Sequence, residues 1–403
     1  DPKLKGRYNQ VMEKVRKIVN DSQFFGLRVA KITAEDQSRF LNDEGLREYR
    51  HFLEMLFEEA KHQLSEAEEK ILNLKQQTSH DDWIKMVDSL LSKEEREVLE
   101  EDGRKVELGL ADLFSLLYRQ NKAVREAAVA AINEVLAKHA DVAEQEINSI
   151  LANKKIDDEL RGFSRPDSAR HLTDDIDTKV VDALIEAVTK RFSVSRRWYR
   201  LKTKLLGLAK LEYHERMIEY GRITKTYSYE ETTGLVSRTF HRIDPKFGQI
   251  FDGFVRDRRI DVFPVKGKFN SAFCAAGSLM LPTYILLNHT NIIADVRTLA
   301  HESGHGINDE LMKAKQNALN FGSPLSTAEV ASTFMEDFVW GELMAEADDE
   351  LRLAIMVKKL DDDVSTIFRQ VACYRFEQEL HATFREKGYL GKEVIGKLFQ
   401  KQM

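Results

Sequence analysis

Three residues of one heptapeptide carry the chemistry most easily read from this chain. The stretch Leu299-Ala300-His301-Glu302-Ser303-Gly304-His305 contains H-E-x-x-H. On a helix, residues four apart lie on one face, so both imidazoles reach a single ion. Zinc suits such a site, because it takes imidazole nitrogen and carboxylate oxygen in a tetrahedral shell and leaves one position for water, beside which Glu302 would stand as general base. Eleven histidines in 403 residues give about 0.03 accidental matches to this pattern in a chain of this size. A second stretch, His214-Glu215-Arg216-Met217-Ile218, has the first pair without the second histidine and reads as ordinary helix surface.

A third protein ligand has to come from elsewhere, and a carboxylate on a following helix is the usual complement to two histidines and a water. Glu329 lies 24 positions after His305, room for a turn and an antiparallel return. The same residue also completes a capping-box spacing with Ser326, in which it would only bond back to the Ser326 N–H. Spacing leaves both roles open. Asp309 and Glu310 share the histidines' helix and reach the ion with difficulty, whereas Glu336, one to two turns past Glu329, suits the support of a ligand.

The elements that must position these groups are mostly helices. From Lys3 to about Lys210, apolar residues such as Leu46, Tyr49, Leu53, Leu56 and Phe57 recur at helical spacing between charges. Ser65 with Glu68, and Ser92 with Glu95, have the spacing of capping boxes and predict helix starts. Asn121 is a candidate cap for an Ala- and Val-rich helix running to His139, and charge clusters such as Lys93 to Glu101 read as solvated helix faces. Between Asp244 and Asn288 the texture changes: Pro245, Pro264 and Pro282, several glycines, and the short β-prone runs Ile260 to Val265 and Tyr284 to Leu287 predict a small sheet. Helical periodicity returns after Asn291, with the motif helix beginning near Asp295 and a break at Gly388 and Gly391.

Composition narrows the function classes. Charged residues make up 32% and there are only 20 Gly and 6 Pro, which favours a helix-rich chain over a sandwich or a disordered one. Lys plus Arg number 61 against 67 acids, a net charge of -6 with no basic stripe, so nucleic acid is not expected as a partner. No 18-residue apolar run is present, and no membrane span is expected. Two cysteines, Cys274 and Cys373, allow at most one bridge and suggest free thiols in a reducing compartment, hence the cytoplasm. Neither G-x-S-x-G, nor G-x-x-x-x-G-K-[ST], nor C-x-x-C occurs, which leaves the metal site as the candidate chemistry.

Taken together, Thr298 to His305 with Glu329-Val330-Ala331-Ser332-Thr333-Phe334 resembles the oligoendopeptidase F branch of the thimet oligopeptidase family. Leu46 to Arg50, His62 to Lys70 and Phe376 to His381 are similar to that family's other helical segments, so the resemblance covers most of the chain. It implies a mainly α fold, a multi-helix peptidase with a deep substrate channel and a small β-sheet near the active site. It further implies one Zn2+ per chain on His301, His305 and Glu329, catalysis by Glu302, and internal cleavage of short unstructured oligopeptides. A helical N-terminal domain over 1–120 and a catalytic domain over 121–403 are expected, with the sheet at about 222–290 and the metal site at 293–340. By the same resemblance Gly267-Lys268 and Ala272-Phe273-Cys274 lie along the substrate, where an exposed strand edge would pair with an extended peptide irrespective of its side chains.

Three features depart from the family's pattern. Asn308 stands where the family usually has a further histidine, the chain stops at Met403 before the family's C-terminal segment of His and Tyr, and the stretch before His301 is short. Truncation at both ends is therefore expected. The rival functions are a carboxypeptidase on a similar helical H-E-x-x-H scaffold and a metal-bearing, inactive peptide-binding protein; nothing in the sequence indicates an oligomeric state.

Overall fold

Capped amphipathic helices build nearly the whole chain, and two short sheets interrupt them. A computed structural model describes residues 2–99, 103–221, 223, 225–269 and 271–403. The first helices are α1 (Pro2–Val29), α2 (Ala34–Asn42), α3 (Arg50–Ala60), α4 (Glu66–Gln76) and α5 (Asp82–Leu91). A hairpin of β1 (Glu95–Leu99) and β2 (Lys105–Gly109) follows, then α6 (Leu110–Leu116), α7 (Lys122–Lys138), α8 (Ala140–Leu160), α9 (Ser168–Thr173), α10 (Thr178–Thr189) and α11 (Ser193–Leu205). Next come α12 (Tyr229–Ile243), α13 (Pro245–Arg256), β3 (Ile260–Asp261), β4 (Phe273–Ala275), β5 (Tyr284–Leu286), α14 (Ile293–Lys313) and α15 (Leu325–Glu346). The last are α16 (Asp349–Val364), α17 (Gln370–Lys387) and α18 (Lys392–Gln402). Among the described residues no helix is long and apolar enough to cross a membrane.

Most of the expected start and stop signals operate. Ser65 and Glu68 form a reciprocal capping box on α4, Asn121 Oδ1 accepts the Ala123 N–H at the start of α7, and Gly388, at φ 80°, ends α17 in the left-handed region that favours glycine. The start expected at Ser92 is not realised. Ser92 closes α5, and the charged stretch after it is a strand paired in register with β2, Val98 opposite Val106. The reason is periodicity. Val98 turns into a core with Leu113, Val124 and Ala128 while its neighbours Glu97 and Leu99 face out, an alternation of two that the density of charges hides. The part of that cluster at 100–101 lies outside the described residues.

Beneath the motif helix the predicted small sheet is present. Its order is β3-β5-β4, with β3 and β5 parallel and β4 antiparallel to β5, Cys274 opposite Ile285. Ile285 and Leu287 are buried, which fixes the central strand, and β4 is left at the edge. The main core lies between this sheet, α12, α13, α14 and α15, where Val296, Leu299, Ala300 and Ile307 of α14 meet Phe251, Phe254, Val339 and Leu343. Apolar packing thus surrounds the helix on the side away from its histidines.

Two buried ion pairs hold the surrounding helices. Lys202 of α11 is fully buried, and its Nζ donates to Asp361 Oδ2 of α16 at 2.5 Å and to the Arg216 carbonyl at 2.7 Å; Trp198 Nε1 donates to Asp361 Oδ1. Burial pulls the Lys202 ammonium below its ordinary pKa and pushes the Asp361 carboxyl above its own, and their mutual hydrogen bond opposes both shifts. Arg125 of α7 pairs with Glu215 at 2.9 Å, both almost wholly buried. Glu215 is therefore an interior anchor in a short 3-10 turn, not the helix surface expected for it; its partner lies 90 residues away in sequence, beyond any local pattern. Lys202→Met strands a buried carboxylate and is predicted to destabilise the fold by about 3 to 5 kcal/mol, with Lys202→Met/Asp361→Leu recovering most of the loss. Urea unfolding of the three proteins checks this.

Candidate metal centre

Helices α14 and α15 pack antiparallel, and their closest approach falls inside the motif. A Cβ on Gly304 would lie 2.6 Å from the Ser332 Cα and 2.8 Å from the Ala331 carbonyl. Only a residue without a side chain allows that distance, and Ser332, fully buried opposite, supplies the complementary small surface. This contact sets Glu329, one turn before Ser332, against the histidines, which flank Gly304 on α14.

The resulting constellation is short-ranged. Glu329 Oε2 lies 3.2 Å from His301 Nε2 and 3.6 Å from His305 Nε2, and one donor atom from each residue falls within 4.8 Å of the others. Four ligands around zinc at about 2.0 to 2.1 Å stand roughly 3.3 to 3.4 Å apart in a tetrahedron, so the donor set and its spacing fit that ion. The three sequence-nominated ligands are brought together. The capping alternative for Glu329 is absent: α15 starts one residue earlier, Pro324 precedes it, and the Ser326 hydroxyl donates to the Asp174 carbonyl instead.

Each group has a supporting partner. Glu336 Oε2 lies 3.1 Å from His301 Nδ1, which turns Nε2 of that ring toward Glu329. Its other oxygen accepts from Trp340 Nε1 at 3.3 Å and faces Arg297 Nη1 at 3.5 Å. The Ser332 hydroxyl donates to Glu329 Oε2 at 2.8 Å. Glu302 is 8% exposed, and the Cys274 backbone N–H on the edge strand favours its charged form. Sequence reasoning found Glu336 in its supporting place but missed Gly304, Ser332, Arg297 and the Cys274 N–H. A glycine in mid-helix was the one local signal available for the close approach; apart from the Ser332 bond to Glu329 three residues away, the others depend on partners more than 25 residues away.

Electrostatics follow from burial among carboxylates. Burial pushes the Glu302 carboxyl up, aided by the Glu329 charge and opposed by His301 and the Cys274 N–H. Burial pulls His305 down. At His301 burial acts in the same sense, but the Glu336 hydrogen bond and the Glu302 and Glu329 charges outweigh it and raise its pKa. His305 is thus held neutral, the form in which imidazole binds a metal, while the carboxylates around His301 attract a cation.

The centre opens into a cleft of about 440 Å³ lined on one side by Phe273 and Cys274 of β4 and on the other by Phe321 to Ser323 and Glu329. Asn308, where the family's pattern has histidine, also lines it and donates to the Ser323 hydroxyl at 3.2 Å. Asp309 reaches the cleft too, whereas Glu310 turns away to Thr283 and Lys313. His289 and His241 are engaged with Thr232 and Asp252, and neither belongs to the cluster.

A helix carrying two histidines four apart, a glutamate between them and a third carboxylate on the antiparallel partner defines the class of H-E-x-x-H metallopeptidase-like sites. The chain belongs to peptidase family M3, whose model matches residues 115–402, and the family model described as Oligopeptidase F matches residues 29–93. It is 26% identical over 384 residues to oligoendopeptidase F, plasmid, of Lactococcus lactis subsp. cremoris, covering 93% of this chain and 63% of that one. To oligopeptidase PepF of Bacillus subtilis it is 24% identical over 373 residues, covering 90% and 54%. The fold is similar to a solved Chlamydophila abortus chain (TM-score 0.86, 20% identity, 98% and 66% coverage) and to oligoendopeptidase-F of Enterococcus faecium (0.69, 18%, 100% and 67%). The chain thus spans somewhat less than two thirds of the curated relatives' length.

Two substitutions probe the geometry. Gly304→Ala forces α14 and α15 apart and is predicted to cost about 1 to 3 kcal/mol of stability, with zinc affinity falling at least about tenfold. Glu336→Ala leaves the His301 ring unheld, and zinc affinity is predicted to fall about 10- to 100-fold with little change in fold. Competition with a chromophoric chelator, alongside circular dichroism, measures both.

Proposed function

We propose that this chain carries the active centre of a zinc-dependent endopeptidase acting on oligopeptides, with His301, His305 and Glu329 as ligands of one Zn2+ and Glu302 as general base. The observation that carries the reading is the convergence of Glu329 Oε2 on both Nε2 atoms at 3.2 and 3.6 Å, with Glu302 beside them and the cleft in front. A bound zinc would polarise the scissile carbonyl and lower the pKa of a water from 15.7 to about 7. Glu302 accepts the water proton at its carboxylate and returns it to the leaving amine, a task for which a carboxyl raised by burial is suited. The Cys274 N–H steadies that carboxylate, and Glu336 keeps the His301 ring in register.

Positioning of the peptide falls to β4. It is an edge strand of the three-stranded sheet and borders the cleft, so its open side offers backbone groups to an extended chain. Backbone pairing is indifferent to side chains, which supports action on varied short peptides. The division into a helical domain over 1–120 and a catalytic domain over 121–403 belongs to this reading; the two family matches, over 29–93 and 115–402, leave their gap a few residues before that boundary. Both cysteines are free, which supports a reducing, cytoplasmic setting.

Glu302→Gln keeps the shape of the side chain and removes the base. It is predicted to retain one zinc per chain by metal analysis while cleavage of a quenched peptide falls by at least about 10³. Undiminished cleavage would remove Glu302 from the mechanism, and product masses showing single residues trimmed from a C-terminus would replace internal cleavage by carboxypeptidase action.

A further inference from the structure

The cleft holds one carboxylate that the chemistry proposed above does not use. Asp309 lies four residues after His305, on the same face of α14 and one turn further along. Its hydrogen-bond partner is the Cys274 thiol, Sγ to Oδ2 at 3.6 Å, and S–H is a weak donor. No Lys, Arg or His nitrogen among the described residues lies within ion-pair distance of it. The nearest lysine on its helix, Lys313, is committed to Glu310, to the Thr283 hydroxyl and to the Leu281 carbonyl and acts on Asp309 only through its charge, without contact, and Arg259 also lies on the Glu310 side, at 3.8 Å. The two adjacent acids therefore differ sharply: Glu310 is fully compensated from within, and Asp309 is not.

A half-buried carboxylate with so little compensation is costly unless a cation or strong donor meets it, and burial does push its pKa up. The open direction is the cleft. Among the residues lining that cleft there is no Lys or Arg, so a cation has to arrive with the bound molecule. The position is suited to it: four helical residues advance about 6 Å, and an extended peptide advances about 3.3 Å per residue, so Asp309 stands about two substrate residues beyond His305, on the side of the centre away from His301.

We propose that Asp309 is a specificity-determining residue that receives a cationic group of the peptide, a lysine or arginine side chain or the free amino terminus, about two residues from the metal centre. This rests on the oligopeptide-cleaving reading given above. Asp309 would then bias toward basic peptides a site whose backbone pairing along β4 is otherwise indifferent to sequence. The thiol of Cys274 would hold the carboxylate in place between substrates.

The test reads binding, so that it stands apart from turnover. The zinc-loaded Glu302→Gln chain, with and without a second substitution at Asp309, is titrated by fluorescence anisotropy with labelled octapeptides in which one residue at each position in turn is lysine, norleucine or glutamate. Each peptide is made with a free and with an acetylated amino terminus. Lysine is expected to bind about tenfold or more tightly than norleucine at one or two adjacent positions, as a hydrogen bond to a charged group would give. Asp309→Asn is expected to bring that ratio to about one, and Asp309→Lys to reverse it in favour of glutamate. A preference lost on acetylation, and equally lost in Asp309→Asn, assigns the cation to the amino terminus instead of a side chain. Ratios near one everywhere for the Asp309 chain, a lysine preference that persists in Asp309→Asn, or no binding of any peptide would overturn the proposal. If the ratios behave as expected and the Glu302-bearing chain cleaves none of these peptides, the peptidase reading falls and the role of Asp309 in recognition remains.

Discussion

The approach of Gly304 to Ser332 governs everything around the centre. Two helices normally stand 8 to 10 Å apart at their axes, and a side chain at Gly304, or a larger one at Ser332, would hold them toward the upper end. With a glycine facing a small, fully buried serine, a carboxylate as short-reaching as Glu329 meets both imidazoles. The contact is apolar and steric, yet its product is a cluster of ionisable groups. Precision in the polar site is thus inherited from packing in the layer beneath it, where Val296, Leu299, Ala300 and Ile307 lock α14 against α13 and the sheet.

The second constraint is the sheet. Its three strands are only two or three residues long, too short to be stable alone. They persist because Ile285 and Leu287 are buried against α13 and α14. In return the edge strand places its Cys274 N–H where it favours the charged form of Glu302 and gives its thiol to Asp309. One residue of β4 therefore acts on two carboxylates of α14, the one proposed for catalysis and the one proposed for recognition, beside the strand along which a peptide would lie.

Legibility from sequence tracked the range of the interaction. H-E-x-x-H declares itself because its members are four residues apart and helical geometry does the rest. The caps at Ser65 and Asn121 were legible for the same reason, each being satisfied within three residues. Glu329 was ambiguous on spacing, since a cap and a ligand make the same local demand; the cap is excluded only by where α15 begins, one residue before Ser326. The β1–β2 hairpin was hidden because Glu95, Arg96 and Glu97 mask a period of two with charge, and its single inward residue, Val98, is too small a signal. Glu215 misled for the converse reason: its buried partner Arg125 is 90 residues away, and nothing local distinguishes an anchored glutamate from a solvated one.

Beyond the ligands, charge is relayed outward in steps that also carry stability. His301 leans on Glu336, Glu336 faces Arg297, and Arg297 reaches toward Asp362 of α16 at 3.9 Å. Its neighbour Asp361 turns the other way, into the pair with Lys202. Successive acids on one helix are thus divided between the site and the fold. The Lys202 pair is the buried one of the two, so removing one partner alone is strongly destabilising. The support of a single imidazole thus reaches, contact by contact, to α16, the helix that also holds the Lys202 pair to α11.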